Sequence, residues 1–194
     1  MHKSNGCRIR FRLLSMFLLP LLLCSIAAHA DDAAYLKRRL DFGINLFPNV
    51  VSVDLDVASK QSKTGQIILA IVYEHDGKLA EKLAGELAGK VKSIRKLPVS
   101  VVVLSAADLG SRGKLGGVFI AEPLDSSAFD AVMAYGISEH AVVFSPYAHD
   151  VDRGVMTGFV VASKILPSVS EKNLEAAGIR LHPLFLKLAK RHEP

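Results

Sequence analysis

Gln66-Ile67-Ile68-Leu69-Ala70-Ile71-Val72-Tyr73 is the stretch that decides the fold. It is β-branched and apolar almost without interruption, the pattern of a strand covered on both faces by helices in a mainly parallel sheet. After Glu74-His75-Asp76-Gly77, the segment Lys78 to Val91 carries Leu79, Leu83 and Leu87 at four-residue steps with Lys and Glu between them, which predicts an amphipathic helix. Pro98 opens a further apolar strand, Val99 to Leu104, and Gly116 to Ile120 predicts another. A helix follows over Ser126 to Tyr135, with Asp125 or Ser126 as its cap and Phe129, Val132 and Met133 on its apolar face. Strand and helix alternate, so the expected architecture is a layered α/β sandwich with helices on both faces of the sheet.

Upstream, Leu36, Leu40, Ile44 and Phe47 recur every three or four residues, as on one helical face, with Lys37, Arg38, Arg39 and Asp41 off it. Pro48 is expected to end that helix. The polar run Ser59 to Gly65 predicts an exposed loop.

Residues 1–30 have the build of a secretory signal peptide. Lys3, Arg8, Arg10 and Arg12 precede an apolar run from Leu13 to Ala28, and Ala28-His29-Ala30 suits cleavage before Asp31. The expected location is therefore periplasmic, with residues 31–194 as a single domain. Both cysteines, Cys7 and Cys24, lie in this leader, which leaves the mature chain without disulfide or thiol chemistry. Leu23 before Cys24 does not suit a lipid-attachment box, which needs a small residue there. Four of the 24 basic residues are also in the leader, whereas all 19 acidic ones are downstream, so 20 against 19 leave a mature charge of +1. Such a chain has no basic stripe with which to displace counterions from nucleic acid.

No pattern announces a reaction. Gly110-Ser111-Arg112-Gly113-Lys114 has the wrong spacing for a phosphate loop, and Leu115 stands where a hydroxyl belongs. Glu139, His140, His149, Asp150 and Asp152 are metal-capable but lack fixed helical spacing. There is no Gly-x-Ser-x-Gly elbow. The pairs Asp54 with Asp56 and Asp150 with Asp152 fit polar edges or turns better than paired catalytic carboxylates. No cofactor and no enzymatic activity are expected.

From Ala141 the order is an apolar strand, Val151-Asp152-Arg153-Gly154-Val155-Met156-Thr157-Gly158-Phe159, a proline break, Asn173-Leu174 with Ala177-Gly178, and a closing amphipathic helix that ends in Phe185-Leu186-Lys187-Leu188-Ala189. This succession resembles the YfiR-like family of periplasmic proteins, which includes HmsC. The resemblance implies an α/β domain that restrains a membrane-bound diguanylate cyclase through its periplasmic part, lowering cyclic di-GMP and biofilm. A sensor kinase is the other membrane-bound signalling partner considered, and a homodimer is compatible with such a regulator. Redox sensing through cysteines does not carry over, and the early Trp-Pro of many members is replaced by Phe47-Pro48.

Asp150, Asp152, Arg153, Gly154 and Gly158 are the candidate partner- or ligand-binding residues, because open α/β sheets bind at their strand ends. Structural roles compete: the glycines would allow close backbone approach, and Arg153 would pair with its acidic neighbours. Leu184, Phe185 and Leu188 are expected to cover the sheet. The competing function is a periplasmic small-ligand binding or sensor module of a signalling or transport system.

Overall fold

A computed structural model describes residues 33–192 of the chain. The expected signal peptide and its cut before Asp31 lie outside the described residues. The chain divides after Arg38 into two compact units. Of the first, residues 33–38 are described and are helical. The second begins with helix α1, residues 39–52, and continues with β1 (Ile67–Tyr73), α2 (Gly77–Lys90), β2 (Ser93–Ile94), β3 (Leu97–Ser105), β4 (Gly117–Ile120) and α3 (Ser126–Ser138). Then come β5 (Val142–Phe144), α4 (Ala148–Asp152), β6 (Thr157–Val161), β7 (Ile165–Val169), α5 (Glu171–Ala176), α6 (Pro183–Leu188) and β8 (Lys190–Arg191).

The eight strands form one sheet in the order β2-β3-β1-β4-β5-β6-β7-β8. Its centre, β3-β1-β4-β5-β6, is parallel, and β2 and the β6–β7 hairpin add antiparallel pairs. This is the α/β sandwich that the apolar run 66–73 predicts. The strand order reverses at β1, which pairs with β3 on one side and β4 on the other. The crevice beyond the carboxyl ends of β1 and β4 is thus the topological switch point.

The core lies on both sides of the central strands. Phe119 and Phe144 stack with centroids 5.6 Å apart, and Phe47 of α1 tilts against both rings. The helix can come this close because Gly43 faces the sheet; a β-carbon there would lie 2.9 Å from Pro146. Lys90 at the end of α2 reaches Asn45 of α1 at 3.0 Å, so these helices are neighbours. The opposite face carries Ala70, Val118 and Val143 in register. There α3 packs, with Gly136 against Val143. Asp125, not Ser126, caps α3 by accepting the Ala128 N–H at 2.7 Å.

Three sequence expectations are corrected. Pro48 does not end α1, which continues to residue 52 because Val50 and Val51 are fully buried there and their burial outweighs one lost helical bond. Pro167 is not a break but lies inside β7 opposite Phe159. Since β8 pairs only with Ser168 and Val169, the outer side of β7 is open at that proline, where a sheet tolerates it. Within the run 59–65, Lys60 is buried rather than exposed, in an ion pair with the buried Asp54.

Candidate functional site

The segment read as a turn from Asp150 onward starts inside a short helix. Asp150 and Asp152 belong to α4, which leaves the carboxyl end of β5, so the cluster does sit at the strand ends. Asp152 is exposed, whereas Asp150 is 1% exposed. The Asp150 carboxylate accepts the Ser145 hydroxyl at 2.6 Å and lies 3.5 Å from the Arg153 guanidinium. Burial pushes the Asp150 carboxyl above its ordinary range, and the Ser145 hydrogen bond and the positive charges of Arg153 and His149 pull it back only in part. Arg153 also donates to the Leu124 carbonyl at 3.3 Å and covers the Phe129 ring at 3.7 Å from its centroid. The cluster therefore ties α4 to the segment after β4.

The two glycines answer backbone demands. Gly154 has φ +84 and ends α4, where its N–H reaches the Val151 carbonyl and the Val155 N–H reaches that of Asp150. Gly158 lies in β6, and a β-carbon there would sit 2.8 Å from the Ser145 carbonyl. Asn173 of α5 donates to the Gly154 carbonyl at 2.5 Å and holds α5 against this turn.

At the switch point itself stands a residue that the sequence reading did not single out. One oxygen of the half-buried Glu122 accepts three consecutive backbone N–H groups, those of Glu74, His75 and Asp76, at 2.8, 2.6 and 2.8 Å. Successive N–H groups ahead of a helix form an anion-binding concavity, and here the chain fills it with its own carboxylate. Glu74 reciprocates by accepting the Asp125 N–H at 3.0 Å. Burial works against the charge on Glu122, but the three N–H bonds and the nearby His75 outweigh it and hold its carboxyl below the usual range. Beside this latch is a 260 Å³ hollow reached by Glu74, Ser105 and Asp125. Tyr147 donates its hydroxyl to the Ala121 carbonyl, just after β4, at 2.6 Å, and burial raises its pKa far above the ordinary value.

These contacts bear on chemistry. The Ser145–Asp150 pair has a serine beside a carboxylate, but both residues are buried, and the hydroxyl also accepts the Tyr147 N–H at 3.1 Å. It offers a substrate no reachable nucleophile. Among the described residues, no group of three or more His, Cys, Asp or Glu side chains is placed to share a metal ion. His140, grouped by sequence with the metal-capable residues, pairs through Nδ1 with the Ala177 carbonyl at 2.7 Å.

Two charged residues expected at the surface, Arg39 from helical periodicity and Lys60 from its polar run, are interior. Arg39 is 6% exposed, donating to the carbonyls of Pro146 and Phe159 at 2.6 and 3.3 Å, with the Phe159 ring 4.4 Å below its guanidinium. The Asp54–Lys60 pair is closed by the strand-like contact of residues 53–55 with 180–182, where the Leu55 N–H reaches the Arg180 carbonyl at 2.8 Å. Apolar residues depart in the other direction. Leu184 and Leu188 do not cover the sheet: on the six-residue helix α6 they are 63% and 70% exposed, while Phe185 is half-buried against the core. Helix α6 follows a segment already pinned to residues 53–55, and only Phe185 and Leu186 turn inward.

No protein-family model matches the chain, and no curated protein matches it. Among solved structures, the chain is similar to an ABC domain from Streptococcus pneumonia in complex with L-Trp, with a TM-score of 0.45 and 12% identity. The match covers 73% of this chain and 61% of that one, so the chain spans about three-fifths of the length of that neighbour.

Proposed function

We propose that this chain is an exported, non-enzymatic regulator that contacts the periplasmic part of a membrane-bound diguanylate cyclase and holds down its output of cyclic di-GMP, and with it biofilm. The observation that carries this reading is α6, which presents Leu184 and Leu188 to solvent at the end of the domain. Burying such a side chain in an interface contributes roughly 1.5–3 kcal/mol, enough for two leucines to matter to a regulatory contact. The class of partner comes from the resemblance of Val151 to Phe159, Asn173-Leu174 and Phe185 to Ala189 to the YfiR-like pattern. The strand-end cluster supports a contact function as well, since Asp150 and Arg153 end on internal partners and leave Asp152 as its exposed charge.

The test is in-cell crosslinking from the periplasmic face, followed by mass spectrometry of what is recovered. A membrane protein with a cyclase domain is expected, together with raised cyclic di-GMP in a strain lacking the chain. Unchanged cyclic di-GMP in that strain would overturn the reading.

A further inference from the structure

One apolar area of the sheet has no helix over it. That area is Ile68 of β1 and Val102 of β3, which share a face because Val102 pairs with Ala70, two residues after Ile68; the neighbouring Ala70 and Val118 on the same face are fully buried. Crossovers between parallel strands ordinarily place a helix against the sheet. The crossover from β3 to β4 contains only the 3-10 segment Ala106–Ser111, followed by residues 112–116 without regular structure. Helix α3 serves this face near β5, where Gly136 meets Val143. Ile68 and Val102 consequently remain half-buried, although both strands have sequences suited to cover on two sides.

Above them is a cavity of about 610 Å³. Ile68, Val102 and the buried Leu115 form its apolar part, and Lys63, Arg112 and Lys114 stand around it. Glu139 is its single acid. Among the described residues, none of the three cations takes part in an ion pair. The rim is held in place: the Tyr135 hydroxyl donates to the Gly113 carbonyl at 2.8 Å, and Lys114 reaches the Ser59 carbonyl at 3.5 Å. Burial pushes the Tyr135 hydroxyl up to about 12, so it stays a donor.

We infer that this cavity binds a small organic acid with an apolar body. The volume falls within the range of roughly 300–1,000 Å³ typical of small-molecule sites. A sugar phosphate would satisfy the cations but leave the apolar floor wet, and a neutral hydrocarbon would leave three cations beside it unanswered. An amphipathic anion satisfies both. The site lies at the amino ends of β1 and β4, away from the switch-point crevice, and does not depend on the partner reading. If both hold, the acid is the signal and the membrane protein the receiver.

The experiment titrates the full chain with 1-anilinonaphthalene-8-sulfonate by fluorescence, then displaces the dye with decanoate or decanol. Saturable binding is expected, with decanoate competing about tenfold better than decanol, because the charged head meets the cations on the rim. Arg112→Glu together with Lys114→Glu, both exposed, should weaken decanoate about tenfold without changing the melting temperature. Leu184→Asp with Leu188→Asp should leave dye binding intact. Equal competition by decanoate and decanol would overturn the inference, as would loss of dye binding on the Leu184/Leu188 changes alone. A concentration-dependent dimer abolished by the Arg112/Lys114 changes, with no saturable dye binding, would also overturn it and assign this face to a second copy of the chain.

Discussion

Glu122 and Glu74 hold each other's loops: Glu122 accepts the Glu74 N–H at 2.8 Å, and Glu74 accepts the N–H of Asp125, three residues beyond Glu122, at 3.0 Å. The two loops are those that follow β1 and β4, so the latch spans the place where this sheet topology offers a ligand crevice. With the N–H groups of residues 74–76 already engaged, an incoming phosphate or carboxylate would have to displace a carboxylate that the chain itself carries.

Removing that carboxylate should loosen both loops. Glu122→Ala is expected to cost about 1 kcal/mol, near the low end for bonds to a charged group because the site is open to solvent. Glu122→Gln, which keeps an acceptor, should cost less. The pH dependence has a definite sign. Glu122's folded pKa lies below its ordinary value of 4.5, so its contribution is present above that value and is lost as pH falls through the lower folded value. Urea denaturation between pH 3 and 7 should show this slope flattened in Glu122→Gln.

The Asp54–Lys60 ion pair is cut off from water, with side-chain exposures of 0% and 6%. Lys60→Met strips the Asp54 carboxylate of its counter-charge and should cost about 3–5 kcal/mol. Pairing it with Asp54→Leu should recover much of that loss, although the Asp56 N–H then loses its 3.0 Å acceptor. A double-mutant cycle by chemical denaturation measures both.

Gly154 and Gly158 should behave as backbone residues. Gly154→Ala forces a side chain into a left-handed conformation at φ +84 and should cost about 1–2 kcal/mol. Gly158→Ala places a β-carbon 2.8 Å from the Ser145 carbonyl and should cost about 1–3 kcal/mol. Thermal melts check both, and a pull-down on the folded fraction should show the partner still bound.

Asp150 reverses the sign seen at Glu122. Its folded pKa is raised by burial, so the ionised form is the costly one, and stability falls as pH rises from the ordinary carboxylate range through the folded value. Asp150→Asn removes that slope while preserving an acceptor for the Ser145 hydroxyl. The stability difference between the protein and Asp150→Asn should therefore shrink or change sign across that window in denaturant titrations at stepped pH.

How far these features were legible depends on what kind of signal they leave. The run 67–73 and the leucines of α2 declare themselves because burial of a whole face imposes a period on the sequence. Arg39 and Lys60 do not, since what admits them to the interior is a partner distant in sequence: carbonyls of Pro146 and Phe159 for one, Asp54 for the other. Glu122 leaves only the trace of a lone acid two residues past a strand, and its role arises when β4 is set beside β1. The cavity over Ile68 and Val102 was hidden for the opposite reason. The strands look fully covered, and it is the shortness of the 3-10 crossover that uncovers them. The candidate residues Asp150 and Arg153 were rightly placed at the strand ends, but single residues carry no sign of whether they face solvent or one another.

Leu184 and Leu188 are where stability and function should separate. At 63% and 70% exposure, their replacement removes little that the folded chain uses, and surface changes of this kind ordinarily stay within about 0.5 kcal/mol. Leu184→Asp with Leu188→Asp should therefore melt like the parent. Phe185→Asp, at the half-buried position between them, should cost more because that ring packs against the core. If the exposed pair forms the contact with a membrane cyclase, the double change should abolish crosslinking and raise cyclic di-GMP to the level of the strain lacking the chain. Normal crosslinking by a normally melting double variant would place the contact elsewhere, and the exposed Asp152 at the strand ends would then be the next residue to change.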